Sequence, residues 1–586
     1  MTVPDLTPAD LPLQRAYRWE KERAQAVFLT QPVGGGVVMD ITWEEALSEV
    51  RHVADYLVAQ HWPAGSRIAI LGKNSAHWIL ADLAIWMAGH VSVPIYPTFN
   101  QDALRYILLH SGAVACFVGK LDDATSLLAG VPGFVPLIPL PLSPMVAGVL
   151  MPEFTPSIPS GPDQLPGDHG WDAIVANGKP LLDSPVRSGA ELATIIYTSG
   201  TTGDPKGVMQ SFAAMTWALE SAMQRVPMDS SDRFISYLPL AHVAERMLIE
   251  QGAIHHGCHV FFAETPDTFM QDLQRARPTV FFSVPRLWVK FQQGVHEKVA
   301  PAKLQRLLGI PLLGRLVRRK ILRSLGLDQC RVAAGGAAPM PADVLQWYRT
   351  LGLDLLEVYG MTENCGVSHA TVPGSFHPGS VGLPHDGVAQ RIDPQTGEIQ
   401  MRSPAVMLGY YRDEALTAAT LTPDGWLRTG DKGHIDADGM LHITGRLKDI
   451  FKTSKGKYIA PAPIEDLLVA QPDIEACAVT GAQLDQPLAI VMLSAAAQEQ
   501  AKTLAGRLAL EAALTAHRNA VNARIQGFER LCCLVVSDIT WTPENGFVTP
   551  TLKVKRGKID EAYGPQFAEW ASRSQAVVWM GNGPRR

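Results

Sequence analysis

The sequence predicts an α/β protein of more than one domain, with a large N-terminal part built on doubly wound sheets and a small α+β part after it. Three observations carry this. A chain of 586 residues is too long for a single core, since domains run to roughly 100–200 residues. Its early part alternates strand-like and helix-like stretches, and strand, helix, strand in succession implies a parallel sheet. Later apolar runs end in Gly-rich or polar turns, and in a doubly wound sheet ligands gather at such carboxyl ends of strands.

Taken in order, ITWEEALSEVRHVADYLV (41–58) places apolar residues at helical spacing, with Thr42 as N-cap and Glu45 in capping-box position. RIAILG (67–72) reads as a buried strand, 76–89 as an apolar helix and VSVPIYP (91–97) as a strand; ALRYILLHSG followed by AVACFVG repeats the unit. Between 130 and 188 the composition shifts to Pro, Gly, Ser and Asp, which predicts a long irregular insertion. The apolar window 131–151 is about as long as a membrane span, but prolines at 132, 136, 139, 141 and 144 favour an extended segment instead. Beyond it, 212–223 reads as a helix, 233–247 as a strand turning into a helix, and HVFFAE (259–264) and TVFFSVP (279–285) as strands. IPLLGRLVRRKILRSLGL (310–327) sets Arg315, Arg318, Arg319, Lys320 and Arg323 among Leu, Val and Ile at helical spacing. Such a helix either packs on the protein with a solvated basic face or lies on an anionic lipid surface.

Composition narrows the function. Hydrophobic residues make up 47% and charged residues 18%, as in ordinary globular proteins, and a net charge of -6 gives no reason to expect nucleic acid. Seven cysteines without a C-x-x-C pair or zinc-site spacing fit a reducing compartment. The N-terminus lacks a secretory pattern, so the expected location is cytoplasmic, with peripheral contact at the inner face of the membrane left open.

The chemistry concentrates in IIYTSGTTGDPKG (195–207), where an apolar run breaks into hydroxyls and glycines. Thr198, Ser199, Thr201 and Thr202 can donate to phosphate oxygens, Gly200 and Gly203 let backbone approach an anion, and Lys206 adds a point charge. The spacing is not that of a Walker A loop. YTSGTTGDPKGV resembles the signature of the adenylate-forming (AMP-binding) superfamily, which includes acyl-CoA synthetases, luciferases and the adenylation domains of peptide synthetases. Further motifs occur in the family's order. YLPLAHVAER carries His242, which the resemblance places near the acyl group and pyrophosphate. CRVAAGGAAPMP (330–341) has small residues Gly335, Gly336 and Ala337 against which a base can slide. LEVYGMTENCG (356–366) offers Tyr359 to stack on it, Thr362 to donate to phosphate and Glu363 as a hard oxygen ligand for Mg²⁺. In DGWLRTGDKG the carboxylate of Asp431 suits two ribose hydroxyls, and Arg446 in GRLKD can reach ribose or phosphate. This run resembles the fatty-acyl-CoA synthetase version of the motif.

The resemblance also implies that Lys448 is a hinge between the large N-terminal domain (1–447) and a small mobile one (448–586), and that Gly456, in the basic loop of 450–469, meets the pantetheine of coenzyme A. FVTPTLKVKRGKID (547–560) departs from the Ser-Gly-Lys-Ile form of several family members. Aligned as the long-chain type it nominates Lys553 as the catalytic lysine; read literally at GKI it nominates Lys558. The expected reaction joins a fatty acid, ATP and coenzyme A, with Mg²⁺, through an acyl-adenylate. The rival readings are an acyl-AMP ligase serving another acceptor and a non-catalytic nucleotide-binding scaffold. Chain length and oligomeric state, including a homodimer, stay open.

Overall fold

The computed structural model describes residues 6–146, 170–198, 204–543, 545–549 and 553–580. They fall into two units. The first holds the described residues up to Thr198, from Asp204 to Gln390 and from Met401 to Leu427; the second holds Arg391–Gln400 and the described residues from Arg428 onward.

A seven-stranded sheet organises the first unit. Its parallel heart is made by Arg67–Leu71, Val91–Ile95 and Ala113–Val118, with Leu192–Thr198 joined to Val91–Ile95 in the same direction. These strands read as continuous apolar runs because both faces are covered, on one side by Ala76–Met87, whose residues are all buried. Trp43–Val58 is the surface helix expected. Thr42 caps it, accepting from the Glu45 N–H while the Glu45 carboxylate accepts from the Thr42 N–H at 2.8 Å. Phe212–Met223 follows the expected bounds.

Two findings correct the sequence reading. The stretch after Gly130 is not irregular throughout: Leu137–Pro139 adds a parallel edge strand beside Ala113–Val118, and Trp171–Asn177 is a helix anchored by buried Trp171. Proline is tolerated at the last strand position because an edge strand needs no N–H on its outer side. The sheet is also mixed, since Leu192–Thr198 pairs antiparallel with Lys206–Ser211. The two ends of the expected phosphate loop are therefore neighbours across a ladder, Thr198 opposite Lys206.

A five-stranded sheet in the same unit runs Val280–Ser283, Val332–Gly336, Leu355–Tyr359, His369–Ala370 and Leu383–Pro384, its first three strands parallel. HVFFAE and TVFFSVP form strands as expected, but in different sheets, for His259–Phe262 pairs with Arg233–Ser236 and Val27–Gly34. After His242 the helix Val243–Glu245 widens into a π-helical turn, Arg246–Gln251.

The second unit has its own core. Ile474–Thr480, Leu488–Leu493, Leu534–Val536 and Val577–Trp579 form a four-stranded sheet, packed by Pro461–Leu468 and the single long helix Leu504–Arg524. A separate sheet places Leu427–Ile435 antiparallel to Leu441–Arg446.

Candidate active site

In the first unit three motifs far apart in sequence meet. Lys206 opens its strand, and its Nζ lies 5.2 Å from the ring centroid of Tyr410. Tyr410 belongs to a two-residue strand paired to Val208, and its hydroxyl donates to Glu363 Oε1 at 2.7 Å. Glu363 is buried, its own carbonyl accepting from the Met407 N–H at 2.8 Å, while Gln210 Nε2 donates to the Thr362 carbonyl at 2.7 Å. So the lysine beside the phosphate loop and the acid of YGMTE are fixed to one strand pair. Burial, and then the neighbouring Glu363 charge, push the Tyr410 phenol far above its ordinary range, so it remains a donor. Ser199, Gly200, Thr201, Thr202 and Gly203 lie outside the described residues.

The ends of Val332–Gly336 and Leu355–Tyr359 approach each other closely. A Cβ on Gly335 would stand 2.5 Å from Met340 Cε, and one on Gly336 would stand 2.8–2.9 Å from Val358. Ala337 holds a left-handed backbone, φ 67°, a conformation that costs a non-glycine roughly 1–2 kcal/mol. Strain of this kind clusters at ligand clamps. Tyr359 is half-buried at the end of its strand, its ring tilted 6.1 Å from that of His369. His242 caps Val243–Glu245; its Nδ1 accepts from the Ala244 N–H at 3.1 Å, which puts the proton of a neutral ring on Nε2. Asn74 and Glu245 fix the turn that carries it. Asn74 Nδ2 donates to the Leu238 carbonyl at 2.6 Å, its Oδ1 accepts from Leu240, and Glu245 Oε1 accepts from the Tyr237 N–H at 2.8 Å. Burial raises the Glu245 carboxyl to about 8.

The second unit carries the other candidates. Asp431 and Arg446 face each other across their ladder with Oδ1 2.9 Å from Nε; Asp431 is buried and Arg446 exposed. Lys448 is exposed in the turn that follows, where Asp449 and Ile450 donate back to the Arg446 carbonyl. Gly456 sits at φ 76° in the hairpin between Phe451–Lys452 and Tyr458–Ile459. Lys553 is exposed, its carbonyl accepting from the Thr549 N–H at 2.7 Å. Three residues on, Arg556 bonds Glu465 at 2.6 Å and Asp449 at 3.2 Å. Lys558 lies within the helix Arg556–Tyr563, paired to Glu561 at 3.0 Å.

Family models match both units. One described as AMP-binding enzyme covers residues 16–411, and one described as AMP-binding enzyme C-terminal domain covers 448–569. The chain belongs to the AMP-binding enzyme family. It is 32% identical to the long-chain-fatty-acid CoA ligase FadD15 of Mycobacterium bovis, over 90% of this chain and 92% of that one. It is likewise 32% identical to the peroxisomal long chain acyl-CoA synthetase 6 of Arabidopsis thaliana, over 90% of this chain and 81% of that one. The adenylation domain of a carboxylate reductase from Mycobacterium chelonae shares the fold, with a TM-score of 0.77 at 20% identity over 96% of this chain and 91% of that one. So does the o-succinylbenzoate CoA synthetase of Bacillus subtilis, at 0.70 and 20% over 93% and 97%.

In this AMP-binding enzyme the residues that motif reading passes over are Tyr410, Asn74, Glu245 and Glu357. Glu357 lies beside Gly335 in the parallel ladder, and burial raises its carboxyl to about 7, partly offset by the Met340 N–H at 3.3 Å. A raised carboxyl favours the fold while protonated and loses that advantage as pH climbs from its unfolded value, 4.5, through about 7. Glu357→Gln is therefore expected to match the parent near pH 4.5 and to be about 2–3 kcal/mol more stable at pH 8. Urea unfolding at the two pH values measures this; an unchanged difference between them would refute the protonated assignment.

Proposed function

We propose that this enzyme condenses a long-chain fatty acid with ATP to an acyl-adenylate, releasing pyrophosphate, and then passes the acyl group to coenzyme A, releasing AMP. The observation that carries the reading is the joining of Lys206 and Glu363 through Tyr410, which gives one strand pair both a cation for phosphate and a buried, oriented carboxylate. The relatives named above supply the substrate class, fatty acids of long chain.

Glu363 fits a magnesium ion arriving with the triphosphate: Mg²⁺ takes one or two carboxylates plus phosphate oxygens rather than a protein cage, and among the described residues no cluster of three acids, histidines or cysteines could hold a metal alone. Bound there, the ion would offset phosphate charge. Thr198, Lys206 and Thr362 hold the phosphates, together with Ser199, Gly200, Thr201, Thr202 and Gly203 of the same sequence motif. Gly335, Gly336, Ala337 and Tyr359 form the adenine seat, and His242 orients the acyl carboxylate. Asp431 takes the ribose hydroxyls with Arg446 beside it. Lys553 balances the charge that develops as carboxylate attacks the α-phosphate. Lys448 is the pivot between half-reactions, and Gly456 admits pantetheine. The thioester forms by attack of the coenzyme A thiol on the adenylate, so no enzyme nucleophile is required.

Incubation with Mg-ATP, coenzyme A and a ladder of acids from acetate to oleate, followed by mass spectrometry, tests the reading. The expected products are acyl-CoA and AMP with an optimum among long chains. Acyl-adenylate without thioester would identify an acyl-AMP ligase instead, and no turnover of any acid would leave only a nucleotide-binding scaffold.

A further inference from the structure

The basic stretch of the first unit shows a surface that neither folding nor the site explains. Helices Pro301–Leu308 and Leu313–Ser324 are joined by an exposed connection, and four large aliphatic side chains within seven residues stand in solvent: Ile310 (47% exposed), Leu312 (74%), Leu313 (40%) and Leu316 (67%). The helix has a separate inward face, since Val317, Ile321 and Leu322 already pack on the core beneath it. Leu312 also holds φ 64° with ψ −53°, a positive-φ turn conformation that leucine seldom adopts. Neither burial nor backbone preference accounts for it.

The charge around these leucines has one sign. From 299 to 327 the chain carries Lys303, Arg306, Arg315, Arg318, Arg319, Lys320 and Arg323 and no acid, within a protein whose net charge is -6. On the helix, 312, 316 and 320 form one row and 315, 319 and 323 the next, because residues four apart are neighbours. Exposed leucines thus lie in a field of exposed arginines. No helix among the described residues is long and apolar enough to cross a membrane.

We propose that the segment from Ile310 to Arg323 seats this unit on an anionic lipid surface, Leu312 and Leu316 entering the acyl boundary while Arg315, Arg319, Lys320 and Arg323 engage lipid phosphates. One-signed charge beside protruding aliphatics is complementary to an anionic interface, which takes in apolar side chains and attracts basic ones together. The inference stands apart from the catalytic reading.

Flotation of the full-length protein with vesicles of phosphatidylcholine alone, or with one third phosphatidylglycerol, tests it at low and high salt. Strong binding to the anionic vesicles, weak binding to the neutral ones and release by salt are expected. L312S/L316S should lower partitioning by about tenfold or more, and R315Q/R319Q/R323Q by about fivefold for each charge removed. Acid-stimulated ATP–pyrophosphate exchange with a water-soluble acid should stay at the parental level in both, which shows that the variants fold and keeps this test separate from that of catalysis. Equal binding to both vesicle types, or variants that bind like the parent, would overturn the proposal. So would parental self-association abolished by L312S/L316S in sedimentation equilibrium, which would give the surface to a second copy of the chain.

Discussion

Replacing Lys553 with alanine is expected to lower acid-dependent ATP–pyrophosphate exchange by about 10²–10³-fold, the loss typical when one preorganised donor to a developing oxyanion is removed. Attack of a carboxylate on the α-phosphate brings two anions together, and an exposed lysine can meet that charge in one conformation and withdraw in another. The two candidates differ in their surroundings. Lys553 is exposed, with Arg556 three residues on tied to Glu465 and Asp449. Lys558 is committed to a helical pair with Glu561. Lys558→Ala should therefore stay within about twofold of the parent, since exposed pairs of this kind contribute little. ATP affinity by calorimetry should be nearly unchanged in Lys553→Ala, because the interaction belongs to the transition state. Loss of exchange in Lys558→Ala with activity retained in Lys553→Ala would assign the lysine to the literal GKI register.

Local signals made much of this legible. Thr42, Glu45 and the apolar spacing of 41–58 suffice to define a capped helix, because N-cap chemistry and period act within one or two turns. The Thr/Ser/Gly run and YGMTE likewise announce themselves through residue type. What joins them does not. Tyr410 reaches Glu363 only because Gly409–Tyr410 pairs with Met209 and Val208, some two hundred residues upstream, and two residues carry no periodicity to read. Leu137–Pro139 hides for a related reason, as a three-residue edge strand inside a Pro-rich stretch. The helix Pro12–Glu22 carries an equally weak signal. Its polar majority masks Leu13, Ala16 and Tyr17, which are buried at helical spacing. Arg246 is the strongest case: in YLPLAHVAER it looks like a charge on a solvated face, yet tertiary packing buries it completely.

That burial makes Arg246→Met the most destabilising single change expected here, by about 3–5 kcal/mol. Arg246, Asp82 and Glu250 are all fully buried. Arg246 Nη2 donates to Asp82 Oδ2 at 2.5 Å and to Ser92 Oγ at 2.9 Å, and its guanidinium stands 5.5 and 5.7 Å from the rings of Trp78 and Trp86. One cation thus sits between two acids. Burial, followed by the Asp82 charge, raises the Glu250 carboxyl well above its ordinary range, which favours its neutral form beside the Arg246–Asp82 pair. Methionine fills much of the arginine's volume but strands Asp82 in an apolar wall. Removing both charges, in Asp82→Asn with Arg246→Met, should recover more than half of the loss, because the penalty lies in the uncompensated charge rather than in the missing attraction. Urea unfolding of the parent, both single variants and the double variant measures the coupling. A loss below about 1 kcal/mol in Arg246→Met would mean that water reaches Asp82. The same variant should also impair catalysis. Arg246 donates its backbone N–H to the His242 carbonyl at 3.0 Å and begins the π-helical turn as the last residue of YLPLAHVAER, so the buried pair fixes the element on which His242 is presented.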